Sequence, residues 1–187
     1  RDKSVDALVE QYPQISQHEA EKLKQDMRDG TVESPTIKFM EDQSDADGNK
    51  VLGAFNKDTN EILIDKALYE RAQAGDKAAT ATLLGVMAEE QGHAVASVLE
   101  QRMGIQDFRF DEGGLAARSI LQDFASSGSD VKFDLNIVGS VGSLATSADA
   151  INNELASHFP SSLLLNDYQM GGNVFSNMNA SGTNVTI

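Results

Sequence analysis

The spacing of apolar and polar residues predicts two helices at the beginning of the chain. From Val5 onward the apolar residues recur every three or four positions, and Pro13 ends this first helix because proline lacks the N–H that the next turn needs. The run Ser16-Gln17-His18-Glu19 then has the Ser-x-x-Glu form of a capping box. It predicts a second helix that ends near Gly30.

The pattern changes to short apolar runs after residue 35, and these runs predict three strands. The predicted strands are 36–40, 51–55 and 61–64. The acidic connector 42–49 does not fit a calcium-binding EF-hand loop, because aligning Gly48 with the invariant glycine of that loop puts Gln43 first and Ala54 last. We expect a solvated hairpin turn there.

Two aspartates predict the starts of the next two helices. Asp65 can cap a helix that runs to Gly75, and Asp76 can cap a longer one that runs to Arg102 and ends at Gly104. Apolar residues cover most of the circumference of the longer helix, so we expect it to lie in the centre of the fold. Those residues are Leu83, Leu84, Met87, Ala94, Val95, Val98 and Leu99.

A further helix is predicted where Asp111 can serve as the N-cap and Glu112 falls in the first turn. Its expected core residues are Leu115, Ile120, Leu121 and Phe124. Beyond a polar stretch at 126–130, an alternating run over 131–137 predicts a strand and the run 148–159 predicts a short helix.

These elements together predict an α+β fold, with a short mixed sheet followed by the long helix and then the Asp111 helix. We expect a domain over 1–125 and a C-terminal extension or subdomain over 126–187. The tail from Gly171 onward is rich in Gly, Asn and Ser and should be irregular.

Composition narrows the classes of partner. A net charge of -14 argues against nucleic acid and against anionic membranes, because both would repel the chain, and it favours cations. There are no cysteines, so disulfides and thiolate metal sites are excluded and Asp, Glu and His are the strong metal ligands that remain. The chain starts at Arg1 rather than Met, so we expect it to be a piece of a longer protein.

Acidic residues and a histidine meet at a chemically useful spacing in the long helix. Positions i and i+4 lie on one helix face, so Glu89 and His93 can hold the same ion, while Glu90 points beside them. Gly92 weakens the helix and suggests that another segment approaches closely. Asp111 could hydrogen-bond His93 and fix its tautomer, or it could serve only as an N-cap.

The run Glu89-Glu90-Gln91-Gly92-His93 resembles the His-Glu-x-x-His helix of zincin-type metallopeptidases, with Glu89 in place of the first histidine. The run Asp111-Glu112-Gly113-Gly114 resembles the element that carries the third ligand, a glutamate, in the thermolysin-like branch. The resemblance covers roughly residues 35 to 125. It implies a zincin-like fold, Glu112 as the third metal ligand beside Glu89 and His93, and Glu90 as the catalytic base.

The implied cofactor is Zn²⁺, and the implied substrate is a peptide or protein. Glu90 would accept a proton from a metal-bound water that attacks the peptide carbonyl. Two carboxylate ligands would make Mn²⁺ or Ca²⁺ stronger competitors than they are at a site with two histidines. The chain is also similar to metallopeptidase-like segments of large secreted bacterial proteins, which implies secretion and neighbouring domains of a longer parent chain.

Two other interpretations stay open at this stage. The two glutamates could belong to a solvated helix face, with His93 hydrogen-bonded in the core. Alternatively, the chain could be a catalytically inactive zincin-like module that binds or scaffolds within a larger surface or toxin protein. Of the remaining histidines, we expect His18 to lie at the surface, and Glu154 with His158 offers a two-ligand face without a third partner.

Overall fold

Six helices and five strands make up the described part of this computed structural model, which comprises residues 1–104, 111–137 and 140–160. The predicted α+β class is confirmed. In chain order the elements are α1 (Asp2–Gln11), α2 (Gln17–Arg28), β1 (Thr36–Met40), β2 (Gly53–Asn56), β3 (Glu61–Asp65), α3 (Lys66–Gln73), α4 (Lys77–Met103), α5 (Glu112–Ser126), β4 (Val131–Ile137), β5 (Ser140–Thr146) and α6 (Ala148–His158).

Side-chain caps begin α2, α3, α4 and α5 at the predicted positions. The Ser16 hydroxyl accepts the Glu19 backbone N–H at 3.2 Å, and the Glu19 carboxylate accepts the Ser16 N–H at 3.1 Å, which completes the capping box. The Asp65 side chain caps α3 by accepting the Leu68 backbone N–H, and the Asp76 side chain caps α4 by accepting the Ala79 N–H. Gly104 ends α4 in the left-handed conformation with φ of 67°, which glycine adopts without strain.

The first sheet is mixed and has the order β1-β3-β2, with β1 parallel to β3 and β2 antiparallel to it. The connector between β1 and β2 forms a local hairpin turn, as predicted, closed by a bridge between Ser44 and Lys50. The two strands that this connector joins, β1 and β2, are nevertheless not neighbours in the sheet, because β3 lies between them. β2 starts at Gly53, two residues after the predicted start at Val51.

Helix α4 lies in the centre of the fold, as its apolar circumference predicted. One side packs through Leu83 and Met87 against the first sheet, and another packs through Val95 and Leu99 against α1 and α2. A third side, which includes Leu84, faces α5 and α6. Burying one such leucine contributes about 1.5–3 kcal/mol, so α4 anchors each neighbouring element.

Helix α5 packs against α4 through small residues, which the sequence interpretation did not predict. Leu121 is fully buried as expected, but Leu115, Ile120 and Phe124 are only partly buried. The other buried positions of α5 are Gly113, Gly114, Ala116 and Ala117. Small side chains let the two helix backbones approach closely, and this brings the first turn of α5 against α4.

The segment after α5 also packs onto α4. β4 was predicted, whereas β5, its antiparallel partner in a two-stranded sheet, was not. Leu135 of β4 and Leu144 of β5 belong to the same hydrophobic cluster as the first sheet, and Ile151 of α6 contributes to the cluster around Leu84. The predicted irregular tail from Gly171 lies outside the described residues. None of the described helices is both long and apolar enough to cross a membrane.

Candidate metal centre

The first turn of α5 crosses α4 at a contact between two glycines. A Cβ atom added to Gly92 would lie 2.8 Å from the Ala116 Cβ and 2.9 Å from the Gly113 Cα. The close approach expected at Gly92 is therefore confirmed, and the approaching segment is α5. This crossing holds the acidic start of α5 over the face of α4 that carries His93.

His93 lies between two carboxylates of α5. Its ring is buried, with Nε2 3.6 Å from Asp111 Oδ1 and Nδ1 3.7 Å from Glu112 Oε1. Both distances exceed hydrogen-bond length. Among the described residues, Nε2 has no hydrogen-bond partner although it is buried. A buried imidazole nitrogen is rarely left unpaired, which points to a ligand at this position.

Glu89, His93 and Asp111 can each place one ligand atom within 4.8 Å of the others. Two ligands that share a tetrahedral divalent ion, with bonds of about 2.1 Å, lie roughly 3.4 Å apart. The 3.6 Å between His93 Nε2 and Asp111 Oδ1 is close to that value. The donor set and the unpaired nitrogen therefore fit a divalent ion.

The positions of Asp111 and Glu112 differ from those that the zincin resemblance implies. Asp111, expected to support His93 from outside the ligand set, belongs to the group that can share an ion. Glu112, expected as the third ligand, lies instead beside the opposite ring nitrogen. Its ligand role stays a prediction. Asp111 Oδ1 also accepts the Gly114 backbone N–H at 2.8 Å, so the predicted N-cap is present as well.

Glu90 places its carboxylate against strand β2. Its side chain is 1% exposed and accepts a hydrogen bond from the Phe55 backbone, while Oε2 has no hydrogen-bond partner among the described residues. A Cβ atom on Gly53 would lie 3.3 Å from Glu90 Oε1. The sequence interpretation missed this contact, although a glycine inside a strand often marks such a close approach.

Charge is concentrated at this site. Burial raises the pKa of Glu90 well above its usual range, and the carboxylates of Glu89 and Asp111 raise it further. Burial by itself would lower the pKa of His93, yet Glu112, Asp111 and Glu90 outweigh burial and raise that pKa to about 10. The carboxylates thus favour a positive charge at the position of the ring, which a proton or a metal ion can supply.

Glycine is also required at position 113. A Cβ atom there would lie 2.3 Å from His93 Nε2 and 2.7 Å from the Glu89 backbone oxygen. The ring of His93 therefore packs directly against the Gly113 backbone, where a side chain would otherwise lie. The pair Gly113-Gly114 directly after two acidic residues was the sequence pattern that could have indicated this close contact.

The other two histidines lie in different surroundings. His158 Nδ1 lies 2.9 Å from Glu154 Oε1, and the Thr82 hydroxyl donates to Glu154 Oε2 at 2.8 Å. Glu154 raises the pKa of His158, and Glu89 adds to this effect. Glu154 and His158 thus form a partly buried ion pair. In the described part of the chain, only Glu89, His93 and Asp111 have the geometry of a metal site. His18 is exposed, as predicted.

No protein-family model, curated protein or solved structure matches this chain. The chemistry of the site therefore has to be argued from its own geometry.

Proposed function

We propose that this chain is a metal-dependent hydrolase with a zincin-like site, which holds a divalent ion through Glu89, His93 and Asp111 and cleaves peptide bonds. One observation carries the proposal. The buried and unpaired Nε2 of His93 faces the carboxylate of Asp111 at 3.6 Å, and the buried carboxylate of Glu90, which belongs to no ligand set, interacts electrostatically with both residues.

The residues divide into those that hold the ion and one that moves a proton. A divalent ion at this position supplies a polarised carbonyl and an acidified water for hydrolysis. Glu90 accepts the proton of the attacking water, and the Phe55 backbone holds its carboxylate in place. The water oxygen bonds to the carbonyl carbon, the C–N bond breaks, and Glu90 returns the proton to the amine that leaves.

The ligand set limits the choice of ion. Two carboxylates and one imidazole suit Zn²⁺ and also Mn²⁺, and Ca²⁺ competes because carboxylate oxygens are hard donors. The acidic chain, with a net charge of -14, would also concentrate cations near its surface. A peptide or protein substrate belongs to the same proposal and derives from the zincin resemblance. Secretion from a bacterium and attachment to other domains of a longer parent chain also belong to it and derive from the similarity to segments of large secreted bacterial proteins.

The second candidate is a module that is stabilised by a metal ion but is not catalytic. It is favoured by the burial of Glu90 and His93. Glu90 is 1% exposed and His93 is 5% exposed, so a substrate has to approach through the partly exposed side of Glu89, Asp111 and Glu112. A binding or scaffold module would need the ion but not this access.

Glu90→Gln separates the two candidates. We expect hydrolysis of a fluorogenic peptide library to fall about 10²–10⁴-fold, because the base is lost, while the ion content measured by elemental analysis stays the same. Glu70→Gln makes the same chemical change at an exposed position of α3 and should leave both quantities unchanged. If the wild-type protein holds a stoichiometric ion and cleaves no peptide, the module is the better interpretation.

Elemental analysis of His93→Ala tests the metal centre itself. We expect the ion that copurifies with the wild-type protein to be absent from this variant. Equal metal content in the two proteins would overturn the proposal.

A further inference from the structure

The ring of His93 needs a partner for its second nitrogen. A neutral imidazole has one N–H and one lone pair, so a ring that binds an ion through Nε2 must carry its proton on Nδ1. In metal sites a carboxylate or a carbonyl usually accepts that proton, which fixes the orientation of the ring and makes the ligand more basic. The atom that faces Nδ1 here is Glu112 Oε1, at 3.7 Å.

We propose that Glu112 is the positioning residue for His93: it accepts the Nδ1–H of the ring, while its neighbour Asp111 binds the ion beside Nε2. The inference rests on the proposed metal site and deepens it. It exchanges the roles that the zincin resemblance implies for these two residues.

The first turn of α5 explains how adjacent residues reach opposite edges of one ring. Asp111 is the N-cap, outside the helix, and its carboxylate turns back over the Gly114 N–H and reaches the Nε2 edge of His93. Glu112 is the first residue within the helix and reaches the Nδ1 edge. Gly113 has no side chain and lies against Nε2, so the ring fits between the two carboxylates.

A simpler role for Glu112 is to stabilise the positive N-terminal end of the α5 dipole, as acidic residues in a first turn commonly do. That role depends on its charge but not on His93. The experiment therefore needs a measurement on the ring itself.

The experiment compares Glu112→Gln, Glu112→Ala and Asp111→Asn. Asparagine caps a helix about as well as aspartate, so Asp111→Asn removes the ligand charge and keeps the cap. We expect it to abolish stoichiometric Zn²⁺ and Mn²⁺ binding in titrations against a chelating dye. We expect Glu112→Ala to weaken affinity about 10–100-fold and Glu112→Gln to recover part of that loss, because an amide oxygen still accepts the Nδ1–H.

Imidazole ¹H–¹⁵N NMR reads the ring directly, and the chain has only three histidines to assign. We expect a slowly exchanging His93 Nδ1–H in the wild-type protein, with and without the ion, and its loss in Glu112→Ala. If Glu112→Gln loses the ion while Asp111→Asn keeps it, or if Glu112→Ala changes neither affinity nor proton exchange, the inference is wrong. Because the proton is also visible without an ion, a wild-type protein that binds no metal would overturn the proposed function and the ligand role of Asp111, while the NMR measurement would still test the hydrogen bond from His93 to Glu112.

Discussion

At the scale of single residues, the site is organised by the charge that His93 carries. Carboxylates on both sides of the ring raise its pKa to about 10, against the effect of burial. Without an ion the imidazole is therefore protonated at neutral pH and balances the carboxylates around it. An ion that binds through Nε2 must displace this proton, since only the lone pair can be a ligand.

Ion binding should consequently release protons. We expect about one proton per ion at pH 7, and an affinity that falls as the pH is lowered because protons compete for the ring. Calorimetric titration with Zn²⁺ in two buffers of different ionisation enthalpy measures the number released. An equal binding enthalpy in both buffers, which means no net proton release, would contradict a metal bond to His93.

Gly113 can be tested in a similar way. Gly113→Ala would push a Cβ atom to within 2.3 Å of His93 Nε2, so we expect ion binding to be lost and stability to fall by about 1–3 kcal/mol. Gly85→Ala is the matched control, because its Cβ would lie 2.8 Å from the Phe159 ring, away from the ligands. It should destabilise the fold but keep the affinity for the ion. Equal affinities in the two variants would show that the close packing of His93 against Gly113 is not needed for ion binding.

At the scale of elements, the helix starts could be predicted because a cap is a local interaction. Ser16, Asp65, Asp76 and Asp111 each bond a backbone N–H three residues ahead, so the short sequence run contains all the information needed. β5 was missed because its Ser and Gly residues have low strand propensity, and β4 across the sheet supplies the pairing that holds it.

In the candidate site, too, short sequence runs predicted what lies on one helix but not how two helices meet. The spacing of Glu89 and His93 fixes a shared helix face, and the structure brings these residues together as predicted. The sides of the ring that Asp111 and Glu112 face could not be predicted, because they depend on where α5 crosses α4. That crossing is set by the contact of Gly92 with Gly113, two positions far apart in the sequence.

Helix α6 carries a titratable ion pair between Glu154 and His158. Glu154 raises the pKa of His158, so the ion pair stabilises the fold fully below about pH 6.5, the unfolded value, and this contribution is lost as the pH rises through the folded pKa. We therefore expect the wild-type protein to be more stable than His158→Gln at pH 5.5, and this advantage to shrink by pH 9. Urea unfolding at the two pH values measures it, with His18→Gln as a control at an exposed histidine. A difference that is independent of pH would mean that the pair contributes only packing.

At the scale of the whole molecule, one helix connects the hydrophobic clusters to the candidate site. α4 contributes Leu83 to the cluster of the first sheet, Leu99 to that of α1 and α2, and Leu84 to that of α5 and α6. It also carries Glu89, Glu90 and His93. Because Asp111, the N-cap of α5, is the remaining proposed ligand, separating α4 from α5 would also take the proposed metal site apart. Under the proposed function, the affinity for the ion is therefore also a contribution to global stability.

Zn²⁺ or Mn²⁺ should accordingly raise the unfolding temperature. An ion at 100 times its dissociation constant adds about 2.7 kcal/mol if it binds only the folded chain. For a domain of this size that corresponds to roughly 5–10 °C, reversible by a chelator. Asp111→Asn, which keeps the α5 cap, and His93→Ala should show no increase. Since the chain carries a net charge of -14, ions could also stabilise it by screening its surface. If the unfolding temperature of His93→Ala increased by the same amount, the ion would be stabilising the protein by such screening and not by binding between α4 and α5.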